Sequence, residues 1–352
     1  MGHALMKVLF LTPWYPSEKD AMAGLFVQKH VEAVRAQGVD VRVIYSLGWW
    51  DTWRQWKALR REGWMPDVVQ LNVIQKQGLL ALWLKKRYGI PYVIVEHWSG
   101  YLPENGQFMR MQILKQKLYR IIAEKAEIIL TVSDRHAEAM KACGIHNNQW
   151  GRIHNVVDDF FYEKSEVSIQ KYDIKTLLHV SCFDERAKNV KGLLRAAKIL
   201  YEKRQDWRLV LVGTGVDYDE VRAYAKSLAF PNGVLEWTGE LTPQQVSDAF
   251  DYADFFILNS HYENAPVVLS ESLAKGVPVV ATRVGGIPEM VGKDIGILVS
   301  PGNETELLSA LDTMLNHCHE FNRELISQEG KRYSFAKVGA KLTAIYRSCV
   351  QG

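Results

Sequence analysis

Short apolar runs alternate along this chain with stretches whose apolar side chains return every three or four positions, and the alternation runs through two successive series. Residues 7–12 read as a strand, the turn-rich 13–17 follows, and after Gly24 the pattern Phe26, Val27, His30, Val31, Val34 predicts a helix over 25–37 that closes at Gly38. Strands are then expected at 39–45, 68–71, 92–95 and 128–132, with helices reaching Tyr88, near 108–124 and over 134–142. Residues 155–175 are polar and aperiodic, which reads as a linker. A second series begins at 176–180, with strands at 209–212, 234–237, 255–258 and 277–282 and helices between them. Alternating short apolar strands and helices give parallel sheets covered on both faces. The expected class is therefore α/β, with two tandem doubly wound, Rossmann-like domains. The first covers 1–160 and the second 161–335, and a last helix in 336–352 crosses back to the first. Ligands of such sheets sit beyond the carboxyl ends of the strands, here in a cleft between the two domains.

Composition bounds the rest. A 352-residue chain with 47% hydrophobic and 24% charged residues is globular and long enough for two ordinary domains. No apolar run has the length of a membrane span and no signal-peptide pattern is present. Cys143, Cys182, Cys318 and Cys349 are scattered without metal-ligand spacing, so reduced thiols and a cytoplasmic location are expected. The net charge of +3 is uneven: residues 1–165 carry 22 Lys and Arg against 16 Asp and Glu, and the remainder 21 against 24. A basic first half suggests an anionic partner, either a phosphorylated acceptor or an acidic membrane surface. Residues 49–64 hold five tryptophans among basic residues. On a helix Trp49, Trp53 and Trp56 share one face, with Arg54, Lys57 and Arg61 on another. Two readings stand side by side: a peripheral membrane contact holding a lipid-linked acceptor, or tryptophans packed on the sheet.

The chemistry concentrates after strand ends. Glu263 falls in the loop after strand 255–258, and Glu271 about a turn into a helix that starts near Pro266 and stops at Gly276. Two carboxylates that accept hydroxyl hydrogen bonds, flanking a helix start that favours anions, suit a sugar joined to a nucleoside diphosphate. His97 follows the strand ending at Glu96, a position for hydrogen-bonding a sugar hydroxyl or stabilising developing charge. Arg186 and Lys188, in the loop after 176–180, are candidates to neutralise a departing diphosphate, with Lys191 too far into the following helix. Gly24 permits close approach before the first helix. Gly213-Thr214-Gly215 and the segment 237–241, ending at Leu241, leave room for a base and ribose. Gly213-Thr214-Gly215 lacks the third glycine of a nicotinamide fingerprint. The turn Val284-Gly-Gly-Ile-Pro-Glu289 reads as structural.

Together these residues resemble the retaining glycosyltransferases of family 4, which have the two-domain GT-B fold. The resemblance is strongest over 234–301, where Thr238-Gly, Asp251-Tyr-Ala-Asp254, Ser260-His-Tyr-Glu263, Glu271-Ser-Leu-Ala-Lys-Gly-Val-Pro-Val-Val280 and Gly285-Gly-Ile-Pro-Glu289 keep the family's order. Trp14-Tyr-Pro16, Gly24-Leu-Phe-Val27 and Glu96-His97 are similar to its N-terminal signatures. The resemblance implies that Glu263 holds donor-sugar hydroxyls, Glu271 the ribose, and Lys188 with Arg186 the diphosphate. Asn264, Ala265, Pro266, Val267 and Val268 are implied to contact sugar and phosphates, His97 to sit by the reacting sugar, and Gly24 to line the cleft. The resemblance further implies a nucleotide-sugar donor carrying UDP or GDP, a glycan or lipid-linked hydroxyl as acceptor in surface polysaccharide or lipopolysaccharide assembly, and no requirement for metal, cofactor or nucleic acid. Two departures stand out. Ser181-Cys182 replaces the common Gly-Arg, and Asn264-Ala265-Pro266 replaces Gly-Phe-Gly after the glutamate. A nucleotide-sugar epimerase of similar outline and a non-catalytic nucleotide-sugar-binding protein are the alternatives.

Overall fold

The computed structural model describes residues 5–18, 23–163 and 174–351. It divides into two compact units, Met1–Val156 with Tyr333–Gly352, and Val157–Arg332. In the first unit the strands are β1 (Lys7–Thr12), β2 (Asp40–Tyr45), β3 (Val68–Asn72), β4 (Tyr92–Glu96), β5 (Ile128–Thr131) and β6 (Trp150–Arg152). They pair in the order β2-β1-β3-β4-β5-β6, every pair parallel. Between them run α1 (Leu25–Arg35), α2 (Trp49–Arg61), α3 (Gly78–Tyr88), α4 (Ile113–Lys125) and α5 (Asp134–Ala142). Strands β3 and β4 are buried along their whole length, as sheets covered on both faces require.

The second unit repeats the plan with β7 (Lys175–Val180), β8 (Trp207–Val212), β9 (Leu235–Gly239), β10 (Phe255–Leu258), β11 (Val279–Thr282) and β12 (Gly296–Val299), ordered β12-β11-β10-β7-β8-β9 and again wholly parallel. Its helices are α6 (Glu185–Lys188), α7 (Val190–Lys203), α8 (Tyr218–Ser227), α9 (Pro243–Tyr252), α10 (Val267–Ala274), α11 (Glu304–His317) and α12 (Arg323–Gly330). The α/β class and doubly wound sheets are as the sequence predicts. Two short edge strands, β6 and β12, escape the periodic reading because three or four residues carry little pattern. Residues 155–163 are also more than a polar connection: Val156, Val157 and Phe161 are buried, and Phe161 packs edge-on against Phe250. The remainder of the expected linker, 164–173, lies outside the described residues.

Helix α13 (Phe335–Gln351) belongs to the first unit and packs on α1. A Cβ at Gly339 would lie 2.3 Å from the carbonyl oxygen of Ala33, so the two helices meet backbone to backbone. Tyr346 is fully buried and donates its hydroxyl to Gln70 of β3. Overpacking such a contact costs roughly 1–3 kcal/mol, so Gly339→Val lowers the stability of the first unit by about that amount in urea unfolding. An unchanged midpoint would contradict the close packing.

The tryptophans of α2 resolve toward the sheet. Trp56 and Trp64 are buried, Trp49 and Trp53 pack on the same core, and Trp53 meets Trp83 edge-on at 4.9 Å. Trp64 Nε1 donates to Asp40 at 2.7 Å. Of the five, Trp50 alone stays largely in solvent. Among the described residues no helix is long and apolar enough to cross a membrane.

Candidate active site

The sheet of the second unit changes its direction of growth between β7 and β10, the switch point at which such sheets receive ligands. The loops after those two strands carry Lys188 and Glu263, and the two side chains form an ion pair, 14% and 10% exposed. Ser260 Oγ donates to the same Glu263 oxygen at 2.7 Å, and Thr282 Oγ1 donates to the Ser260 carbonyl at 2.6 Å. Burial opposes the Lys188 charge, but the Glu263 carboxylate outweighs it and holds the ammonium above the ordinary lysine value.

Local sequence explains the meeting. Asn189, in the left-handed region at φ 47°, breaks α6 from α7 directly after Lys188. Asn259 Nδ2 then donates to the Asn189 carbonyl at 3.0 Å and His261 N to the Ala187 carbonyl at 2.7 Å, lacing the two loops together. On the other side, a Cβ at Gly285 would sit 1.5 Å from the Glu263 carbonyl oxygen, and Gly286 N donates to Asn264 O at 2.8 Å. The turn read as structural therefore backs the loop that carries Glu263 directly. Ser260 carries no separate role in the sequence reading, and Gly285 only the structural one of its turn. A serine three residues before the glutamate was the available signal for the first, whereas a close approach from another strand end leaves none in sequence.

Helix α10 begins at Val267 with Pro266 as its cap residue and no side-chain cap. Pro266 has no N–H, so the donors of this end are the amides of Val267 and Val268, which carry no hydrogen bond among the described residues. Glu271 lies half-buried on the second turn. The start of α7 is different, because Glu185 caps it from within: its carboxylate accepts from Val190 N at 2.8 Å and Lys191 N at 3.0 Å. That end is closed to an external anion. Lys191 itself pairs with Glu220. Arg186 is 69% exposed and lies 3.9 Å from Asp184, so the structure brings Lys188 to Glu263 but not Arg186.

Ser181 takes the place of the family's glycine, and its hydroxyl is committed. His179 Nδ1 donates to the Ile257 carbonyl at 3.0 Å, and burial lowers its pKa to about 4, so Nε2 is an acceptor and receives the Ser181 hydroxyl at 2.8 Å. A Cβ at Gly213, where φ is 118°, would lie 2.0 Å from the Ser181 carbonyl oxygen, and one at Gly215 lies 2.5 Å from Phe183 N. These glycines admit the neighbouring loop of the chain. Leu241 is half-buried immediately before the capping box of α9.

His97 and Gly24 belong to the first unit. A Cβ at Gly24 would overlap the Trp14 carbonyl carbon at 2.3 Å, so the approach it allows is to the chain's own loop. His97 is half-buried, its ring 4.3 Å from that of Phe26. Burial first, then His30 and His136, push its pKa well below the usual histidine range, so it acts as a neutral imidazole. Beneath it, Glu96 is fully buried and accepts from the amides of Ile74 at 2.9 Å, His97 at 3.1 Å and Trp98 at 3.0 Å. Burial raises its carboxyl to about 7, while those three amides oppose the rise. A raised carboxyl favours the protonated fold, so the stability it contributes is complete below the unfolded value near 4.5 and is lost as pH climbs through 7. Urea unfolding of the wild type and of Glu96→Gln across that window isolates the effect. The difference between them should change by about 3 kcal/mol. A pH-independent difference would remove the assignment.

Among the described residues no group of three or more His, Cys, Asp or Glu side chains is arranged to hold a metal ion. The model of the glycosyl transferases group 1 matches residues 163–332, and that of glycosyltransferase family 4 matches residues 3–159. A putative teichuronic acid biosynthesis glycosyltransferase, TuaC of Bacillus subtilis, is 23% identical over 87% of this chain and 88% of its own length. Among solved structures, sucrose-phosphate synthase from Thermosynechococcus elongatus superposes with a TM-score of 0.79 at 16% identity, covering 97% of this chain and 98% of that one. Anabaena HepE in complex with UDP-glucose superposes with a TM-score of 0.75 at 18% identity, over 97% of this chain and all of the other. The fold is thus GT-B, and the two matched halves, the order of the motifs and the charge pair at the switch point make this chain a member of the family 4, group 1 glycosyltransferases.

Proposed function

We propose that the protein is a retaining glycosyltransferase that moves a sugar from a uridine- or guanosine-diphosphate carrier to a hydroxyl acceptor in surface polysaccharide or lipopolysaccharide assembly. The observation that carries this reading is the half-enclosed Lys188–Glu263 pair at the switch point, beside the uncapped start of α10. In the reaction the bond between the anomeric carbon and the diphosphate oxygen breaks, with its electron pair leaving on the phosphate. The acceptor hydroxyl bonds the same face of that carbon, and its proton passes to the departing phosphate. Lys188 and the Val267 and Val268 amides neutralise the charge that develops there, which is the costliest part of such a step. Because lysine and amide donors meet that charge, no metal is assigned. Glu263 and Glu271 accept hydroxyls of sugar and ribose, and neutral His97 hydrogen-bonds the reacting sugar. The UDP-glucose bound by HepE and the similarity to TuaC, a putative teichuronic acid biosynthesis glycosyltransferase, support the donor class and the setting.

The test is incubation of the intact protein with a panel of UDP- and GDP-sugars in the presence of a chelator, following the released sugar by NMR. Slow hydrolysis with retained anomeric configuration is expected for one donor. Formation of an epimer, binding without turnover, or dependence on an added metal would each displace the reading.

A further inference from the structure

The first unit holds a cavity of about 410 Å³ that none of the roles above uses. It is lined by Val73, Ile74 and Gln75 from the end of β3, by Trp98 from the end of β4, and by Arg110 and Lys115 ahead of and within α4. β3 is one of the two strands at this sheet's switch point. Val73 adopts φ 63°, where a β-branched residue is strained, and such strain is held where a site needs it. Glu96 accepts from both Ile74 and Trp98, so one buried carboxylate fixes the two lining loops. His136 Nε2 donates to the Trp98 carbonyl at 3.0 Å and steadies the same wall.

The charge at this cavity is unbalanced. Among the described residues neither Arg110 nor Lys115 lies within 4.0 Å of a carboxylate. Arg110 instead donates to the carbonyls of Asn105 and Gly106, and the Lys115 ammonium lies 5.7 Å from the Tyr119 ring centre. The first turn of α4 has no acidic residue and no side-chain cap, so Lys115 adds positive charge to an end that is already positive. An anion relieves all three. Next to these cations in the chain are Met109, Ile113 and Leu114, 61%, 69% and 79% exposed. Three large apolar side chains in solvent on the segment that carries both cations fit a molecule with a charged head and a hydrocarbon tail.

From this we infer that the cavity binds the phosphate-bearing end of an amphiphilic acceptor, whose hydrocarbon lies over Met109, Ile113 and Leu114. Calling the ligand an acceptor rests on the transferase reading; its binding does not. The test is flotation of the intact protein with phosphatidylcholine vesicles, with and without phosphatidic acid, together with UDP and GDP binding on the same samples. The wild type should float with the acidic vesicles only. Each basic residue near an anionic surface contributes enough that Arg110→Gln/Lys115→Gln should bind roughly 30-fold more weakly. Ile113→Ser/Leu114→Ser should also lose binding, and both variants should keep the wild type's nucleotide binding and melting temperature. Full binding by Arg110→Gln/Lys115→Gln, or its loss in Arg54→Gln/Lys57→Gln on α2 instead, overturns the inference. So does protection by soluble glycerol phosphate without vesicle binding, which would mark the ligand as a free anion. Vesicle binding with binding of neither UDP nor GDP supports the cavity and overturns the transferase reading alone.

Discussion

Lys188→Ala should reduce turnover by roughly a hundredfold to a thousandfold, the usual effect of removing one donor aimed at developing charge. The structure adds a second cost. Lys188 and Glu263 are paired and mostly enclosed, so truncating the lysine leaves a carboxylate without its partner. Breaking a buried pair in this way typically destabilises by about 3–5 kcal/mol, and the partial exposure here puts the expected loss at the lower end. Activity loss alone would then be ambiguous. The double substitution Lys188→Met/Glu263→Gln separates the two effects, because it removes both charges and leaves no orphan. Its melting temperature should return close to that of the wild type while its turnover stays low. If the double variant recovered turnover along with stability, the pair would be a structural tie and not a catalytic one.

Gly285→Ala should be nearly as damaging, although it changes a single hydrogen to a methyl group. That methyl would fall 1.5 Å from the Glu263 carbonyl oxygen, and φ at this position is 50°. Backbone strain of this kind costs on the order of 1–3 kcal/mol when the chain cannot move. Here the cheaper response is for the 263–265 loop to shift, which carries Glu263 away from Lys188. A displacement near 1 Å at a positioned group lowers rate by about a hundredfold. Steady-state kinetics and thermal melting of the variant should show a large fall in kcat with a modest fall in stability. A wild-type kcat would mean that the glycine turn does not hold the glutamate in place.

Much of this was legible in the sequence because the periodicity of parallel strands and helices is strong over five-residue runs. The positions of β7 and β10, and the helix starting after Pro266, followed from apolar runs ending in small polar residues. What stayed hidden was pairing across the sheet. Residues 188 and 263 are neighbours only because β7 and β10 lie side by side, and strand order is not written in local pattern. Gly213 and Gly215 show the same limit: the Ser181–Phe183 loop after an adjacent strand packs against both glycines, a close approach that local sequence does not announce. The carboxylate that closes α7 had no signature either, since Glu185 reaches its amides across the kink at Asn189. The tryptophans of α2 were ambiguous in principle, because a helix face reads alike whether it meets a sheet or a membrane.

The docking of α13 on α1 has a consequence for biosynthesis. Residues 335–351 leave the ribosome only after the entire second unit has been made, yet they cover Val27, Val31 and Val34 of the first. The earlier-synthesised half must therefore wait, with that stripe open to water, until the second unit and the helix after it have been translated. Nascent chains halted before Phe335 should engage holding chaperones, whereas an independently expressed 157–332 segment should mature without such assistance.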